Sequence, residues 1–139
     1  MRKIIVGVLL LMVIMGVVVT AIFSNMSDYH RKLNASEIRS AIAWSDVRYQ
    51  YQLTEKEIDS LVVIFNDAKL SKVNDDFAGI TPSYGIQIDL SLGGSITINE
   101  AESAYGSIEV QRDIGTKHVS YWIDNDKLEE FLKQVCFAK

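Results

Sequence analysis

A chain of 139 residues and 15.6 kDa holds one small domain plus whatever its ends add. Its 48% hydrophobic content and single proline exclude a disordered or collagen-like polypeptide, and its single cysteine excludes an internal disulfide framework. The net charge of -4 becomes -6 once the first 27 residues are set aside, a sign that argues against nucleic-acid phosphate as a partner.

Arg2 and Lys3 precede an unbroken apolar run from Ile4 to Phe23, in which Thr20 is the one polar side chain. These 20 residues, rising about 1.5 Å each, span about 30 Å, one hydrocarbon core. A soluble helix of that length would need a polar face, and this run has none. Residues 1–23 therefore read as a transmembrane or signal-anchor segment, with the membrane engaged by residues 4–23. The flanking basic pair favours a single pass across the cytoplasmic membrane, N-terminus inside and C-terminal domain outside. Arg31 and Lys32 lie on the far side, but further from the run. Secretion after signal cleavage is the alternative, with Val19 and Ala21 as small residues for a cleavage site. A secretory core is usually shorter, about 7–15 residues. No cysteine lies near the run, so lipid attachment there is not expected.

Residues 24–36 are polar and aperiodic and read as a juxtamembrane linker to a domain over 37–139. Ile38 to Trp44 predicts a strand and Ser45-Asp46 a turn. Val47, Tyr49, Tyr51 and Leu53, alternating with Arg48, Gln50 and Gln52, predict the strand that returns. Thr54 and Glu57 form a capping box, and Ile58, Leu61, Val62, Phe65 and Ala68 then share one face of a helix over about 55–68. Ser71 to Ser83 predicts a long irregular loop. Tyr84, Ile86, Ile88 and Leu90 alternate as a strand, Gly93-Gly94 supplies a hairpin, and Ile96 and Ile98 return. Asn99 to Gly106 reads as a second polar loop. Ile108 and Val110 form a short strand, Gly115 marks a turn, and Val119, Tyr121 and Ile123 form the last strand. Asp126 and Glu129 suggest a second capping box, ahead of a stripe of Leu128, Phe131, Leu132 and Val135. The order β-β-α-β-β-β-β-α predicts an α+β domain, an antiparallel sheet with two amphipathic helices on one face.

Candidate functional residues are few. A catalytic histidine needs a nucleophile or carboxylate within reach. His30 lies in the linker, too close to the membrane for a formed cleft, and His118 begins a strand beside Lys117, where an exposed polar position is the ordinary reading. No nucleophile elbow, zinc-protease, phosphate-loop or dinucleotide motif occurs, and two histidines with one cysteine make no metal set. A non-enzymatic protein without metal or cofactor is expected. Cys136 reads as a small buried hydrophobe at the end of a helix. Tyr49, Tyr51, Tyr84 and Tyr121 share the inward register of their aliphatic neighbours. Trp122 falls out of that register and, if exposed, is a candidate contact residue. Asp75, Asp76 and Phe77 are further candidates, because a long loop with an aromatic and an acidic pair suits a binding site. The pair alone is a poor calcium signal.

The strand pair before Leu53, the Leu53-Thr54-Glu55-Lys56-Glu57-Ile58 helix start, the Gly93-Gly94 hairpin and Tyr121-Trp122-Ile123 followed by the Leu128–Leu132 helix carry a resemblance. Over residues 37–134 the chain resembles a domain of unknown function found in small membrane-anchored or lipoprotein-type extracytoplasmic proteins of Gram-positive bacteria. The resemblance implies export and an α+β fold, and it carries over no catalytic residue. The expected role is a membrane-tethered binding or interaction module with a protein or envelope partner. An envelope enzyme or small-ligand sensor using the 71–83 and 99–106 loops is the alternative. An immunity-type protein neutralising a toxin at the membrane is a second.

Overall fold

The computed structural model describes residues 12–15, 29–47, 50–73, 81–103 and 106–137. The chain divides into two units, Met1–Arg31 and Lys32–Lys139. In the first, Met12–Met15 form a helical turn with all four side chains exposed. Among the described residues no helix is long and apolar enough to cross a membrane. The rest of the Ile4–Phe23 run lies outside the described residues.

In the second unit, seven strands form one antiparallel sheet: β1 Ile38–Ser45, β2 Gln50–Gln52, β3 Lys69–Val73, β4 Tyr84–Leu90, β5 Ser95–Ser103, β6 Gly106–Ile114 and β7 Lys117–Asp124. Their spatial order is β2-β1-β4-β5-β6-β7-β3. Helix α1, Glu55–Asp67, follows β2, and α2, Asp126–Phe137, closes the chain. The expected α+β class holds.

Strand pairing sorts the side chains into two faces. Ala43, Ile86, Ile98, Val110 and Tyr121 stand in one cross-strand row, and all are buried. The helices cover this face. The Arg112 guanidinium lies 5.6 Å from the centre of the Phe65 ring of α1, and Tyr84 meets Phe137 of α2 edge to face at 4.9 Å. Tyr51 donates to Glu57 at the start of α1, at 3.0 Å. Tyr51, Tyr84 and Tyr121 thus take the inward register expected of them. Tyr49 lies outside the described residues.

Four expectations change. Val47 does not extend β2; it sits in the turn, 73% exposed, because β2 shrinks to three residues. Lys69–Val73, assigned partly to a loop, pairs with β7 as the far edge of the sheet. The polar loop expected from Asn99 is strand over its first part: β5 runs on to Ser103, which pairs directly with Gly106. The compact unit also starts earlier than residue 37. Leu33 is buried, and its amide and carbonyl are both held by the Asn66 side chain at 2.8 Å.

The helix starts show what local chemistry decides. Thr54 caps α1 as expected, its amide donating to Glu57 at 2.8 Å and its hydroxyl accepting from the Glu57 amide at 3.4 Å. For α2 the cap is Asn125, not Asp126. Asn125 Oδ1 accepts from the Leu128 amide at 3.1 Å, and its Nδ2 reaches the Ile64 carbonyl on α1 at 3.2 Å. Asn125→Ala is therefore expected to cost about 1–2 kcal/mol. Asp126→Ala should cost under about 0.5 kcal/mol, since Asp126 is exposed in the first turn. Urea unfolding of the two variants tests the assignment, and equal losses would refute it.

Burial also sets the alkaline limit. Desolvation pushes the Cys136 thiol from 9.0 up to about 11, where it also donates to the Gly85 carbonyl at 3.4 Å. Desolvation likewise pushes Tyr121 from 10.0 up to about 12, against the lowering effect of Arg112, whose Nε donates to its hydroxyl at 3.1 Å. Both groups hold their protons more tightly folded than unfolded. Their contribution to stability is thus whole below pH 9.0 and is lost as pH rises towards about 12. Urea midpoints should fall across that window, and Cys136→Ala should flatten the part between 9.0 and about 11. An unchanged slope in that variant would refute the thiol's share.

Candidate functional site

Alternation along each strand leaves a second sheet face, on which no described helix lies. Register places Trp44 of β1 opposite Gly85 of β4, Gly85 opposite Asn99 of β5, Asn99 opposite Glu109 of β6, and Glu109 opposite Trp122 of β7. Lys72 of β3 ends the row beside Trp122. This row departs from an ordinary solvent face. Trp122 is 1% exposed, Asn99 3% and Glu109 7%, while Trp44 is half-buried. The neighbouring row of Ile42, Gln87 and Thr97 has the exposed or half-exposed side chains such a face usually carries.

Each member is held by its strand and by specific neighbours. The Glu109 carboxylate accepts from Ser120 Oγ at 2.9 Å and from Gln111 Nε2 at 3.2 Å, so both oxygens are oriented. Asn99 Oδ1 is buried and has no hydrogen-bond partner. A buried acceptor without a donor costs about 1–3 kcal/mol, so its presence asks for a reason. Gly85 provides the space. A Cβ there would meet the Ile98 carbonyl oxygen at 2.5 Å and Asn99 Oδ1 at 2.7 Å. Glycine inside a strand often marks such a close approach.

Trp122 belongs to this row, but its burial removes the exposed contact role expected of it: the indole is a wall, not a surface. Asp75, Asp76 and Phe77 lie outside the described residues. His118 is exposed and paired with Asp113, at the opposite end of the strands from the row. Among the described residues no group of three or more His, Cys, Asp or Glu is placed to hold a metal ion. Asn99 and Glu109 were missed because period-two alternation marks their positions as solvent-facing. A glycine at position 85 amid alternating aliphatics, with a tryptophan out of register in the last strand, was the signal that could have found them.

Comparison with family models, curated proteins and solved structures finds no match to this chain. The arrangement itself offers oriented acceptors in a row that carries two indoles. That suits binding. Gly85→Ala should destabilise the domain by about 1–3 kcal/mol through overpacking. Thr97→Ala, in the neighbouring row, should change stability by less than about 0.5 kcal/mol. Denaturant unfolding of both variants checks this, and a neutral Gly85→Ala would mean the floor of the row is not tight.

Proposed function

We propose that the chain is a non-enzymatic binding module, tethered at a membrane by residues 4–23 and recognising a protein or envelope partner through its helix-free sheet face. The observation that carries this reading is the row from Trp44 to Trp122. It keeps two indoles, an unpartnered amide oxygen and a buried carboxylate in one register on a face that no described helix needs for its core. The sheet edges favour the face by default. Edge strand β2 has three residues, and edge strand β3 presents the exposed Lys69 and Lys72. Short edges and edge lysines both discourage strand addition.

The apolar run behind Arg2 and Lys3 supports a tether with its N-terminus on the cytoplasmic side. The resemblance to anchored or lipoprotein-type extracytoplasmic proteins supports an exported domain, and the acidic balance of that domain disfavours nucleic acid.

A photocrosslinking side chain tests the face directly. It replaces Gln87, exposed beside the row, or Val63, 69% exposed on α1, in the full-length chain in living cells. One dominant adduct from position 87 and none from position 63 is expected. Equal adducts from both positions, or none from either, would overturn the recognition face. The mass of the recovered chain tests the tether, which requires residues 1–23 to remain attached.

A further inference from the structure

The two ends of the sheet differ in chemistry. Ser40, Asp89, Ser95, Asp113 and His118 stand in one cross-strand row near one end. Beyond that row lie the start of β1 and the β4–β5 and β6–β7 hairpins. The Ser91 amide donates to the Glu37 carbonyl at 2.8 Å, which fastens the first hairpin to the segment leading into β1. Residues 24–37 separate that strand from the apolar Ile4–Phe23 run.

The tips at this end are uncharged and open. Ser91-Leu92-Gly93-Gly94 and Gly115-Thr116 are all exposed, and a Cβ at Gly93 or Gly115 would meet nothing within 4 Å. Leu92 is 100% exposed. A lone exposed leucine is ordinary on a protein surface. This one is set apart by its place, on a hairpin fastened to the stretch through which the chain arrives from residues 4–23. The carboxylates nearby are engaged within the protein. Asp89 accepts from Ser40 Oγ at 3.0 Å and lies 3.8 Å from Arg39, Asp113 pairs with His118, and Glu37 accepts from the Asn34 amide at 3.3 Å. At the opposite end Asp46, Asp124, Asp126 and Glu130 are all exposed.

We infer that the hairpin end of the domain docks on the surface of the lipid bilayer, with Leu92 inserted below the headgroups and Arg39 and Lys117 at the level of the phosphates. The inference rests on the tether proposed above. A tether confines the domain to the surface without choosing which part of it meets the lipid. The choice comes from the uncharged tips at one end and the exposed acids at the other, which lipid phosphates would repel. Removing one leucine side chain from water multiplies the docked population about tenfold or more. That factor gives an untethered domain only marginal binding, but it orients one already held at a high effective concentration.

An environment-sensitive fluorescent amino acid tests this in the full-length chain, reconstituted into phosphatidylcholine vesicles. It replaces either Thr116, exposed between the tips, or Val47, exposed past the far end of β1. Part of the lipid carries a nitroxide quencher at a shallow acyl position. Strong quenching at position 116 and weak quenching at position 47 are expected. Leu92→Asp should lower the docked-to-undocked ratio about tenfold or more. Quenching at 116 then falls towards that at 47, while the parent circular dichroism is kept because the fully exposed Leu92 adds no packing. Equal quenching at the two positions, or quenching at 116 that Leu92→Asp leaves unchanged, overturns the docking. A blue-shifted but unquenched probe at 116 assigns a protein or a second copy to this end and overturns the lipid. Flotation with the vesicles after an alkaline carbonate wash reads the tether separately. A chain that floats with an unquenched probe at 116 loses the docking and keeps the tether, whereas a chain that washes off loses both.

Discussion

Everything in the domain depends on the register of β4 through β7. Side chains alternate between faces with a period of two, so a slip by one residue would exchange the faces completely. Ile86, Ile98, Val110 and Tyr121 would leave the helices, and Gly85, Asn99, Glu109 and Trp122 would enter the core. The burial of the five-residue row Ala43, Ile86, Ile98, Val110 and Tyr121 and its apolar neighbours against two helices makes that slip prohibitive. Tight hairpins reinforce the choice: Gly93 and Gly94 both take φ of +92°, a conformation that fixes where β4 ends and β5 begins. The pairing that builds the core therefore also aligns the polar row. No separate interaction is needed to assemble it.

Strand β6 shows the division of labour most clearly. Its Arg112 is buried on the helix side, over the Phe65 ring and bonded to the Tyr121 hydroxyl. Its Glu109 is buried on the opposite side, bonded to Ser120 and Gln111. Opposite charges three residues apart are thus separated by the sheet itself and cannot neutralise each other directly. Arg112 works with aromatic partners inside the core, where its planar guanidinium packs as well as bonds. Glu109 has no such packing role. Its environment is polar and oriented, between Asn99 on one side and Trp122 on the other.

Much of this fold is legible in the sequence because its signals are local. The Thr54-x-x-Glu57 pair, the apolar stripes of both helices and the Gly93-Gly94 hairpin each act within a few residues, and each takes the expected form. Long-range pairing is less legible. Lys69–Val73 has little strand character of its own and becomes a strand because β7 offers an unpaired edge after α1 ends. Asn99, Glu100 and Ala101 look like loop residues until β6 pairs with them. The row was hidden for the same reason: it consists of six residues on six strands, and no two of them are neighbours in sequence. Trp122 was visible as the one aromatic residue out of register, but its burial depends on partners that alternation does not identify.

The two buried oxygens without partners, Ser45 Oγ and Asn99 Oδ1, separate an incidental cost from a specific one. Each unsatisfied group costs about 1–3 kcal/mol in a domain whose whole margin is about 5–15 kcal/mol. Ser45 ends β1, opposite Tyr84, where a small side chain is wanted and a rotating hydroxyl is the least expensive polar group to strand there. Asn99 sits in mid-strand, where asparagine has low strand propensity and threonine or valine would pack better. It also stands beside a glycine that weakens β4 and opposite a buried carboxylate. Three locally unfavourable choices on three adjacent strands share one row, while the neighbouring row of Ile42, Gln87 and Thr97 follows the usual rules. A sequence shaped for stability alone would have no reason to concentrate its exceptions in this way. Clustering of that kind fits the binding role proposed for this face, because a ligand can repay the cost of desolvated polar groups when they converge on it, and cannot do so when they are scattered.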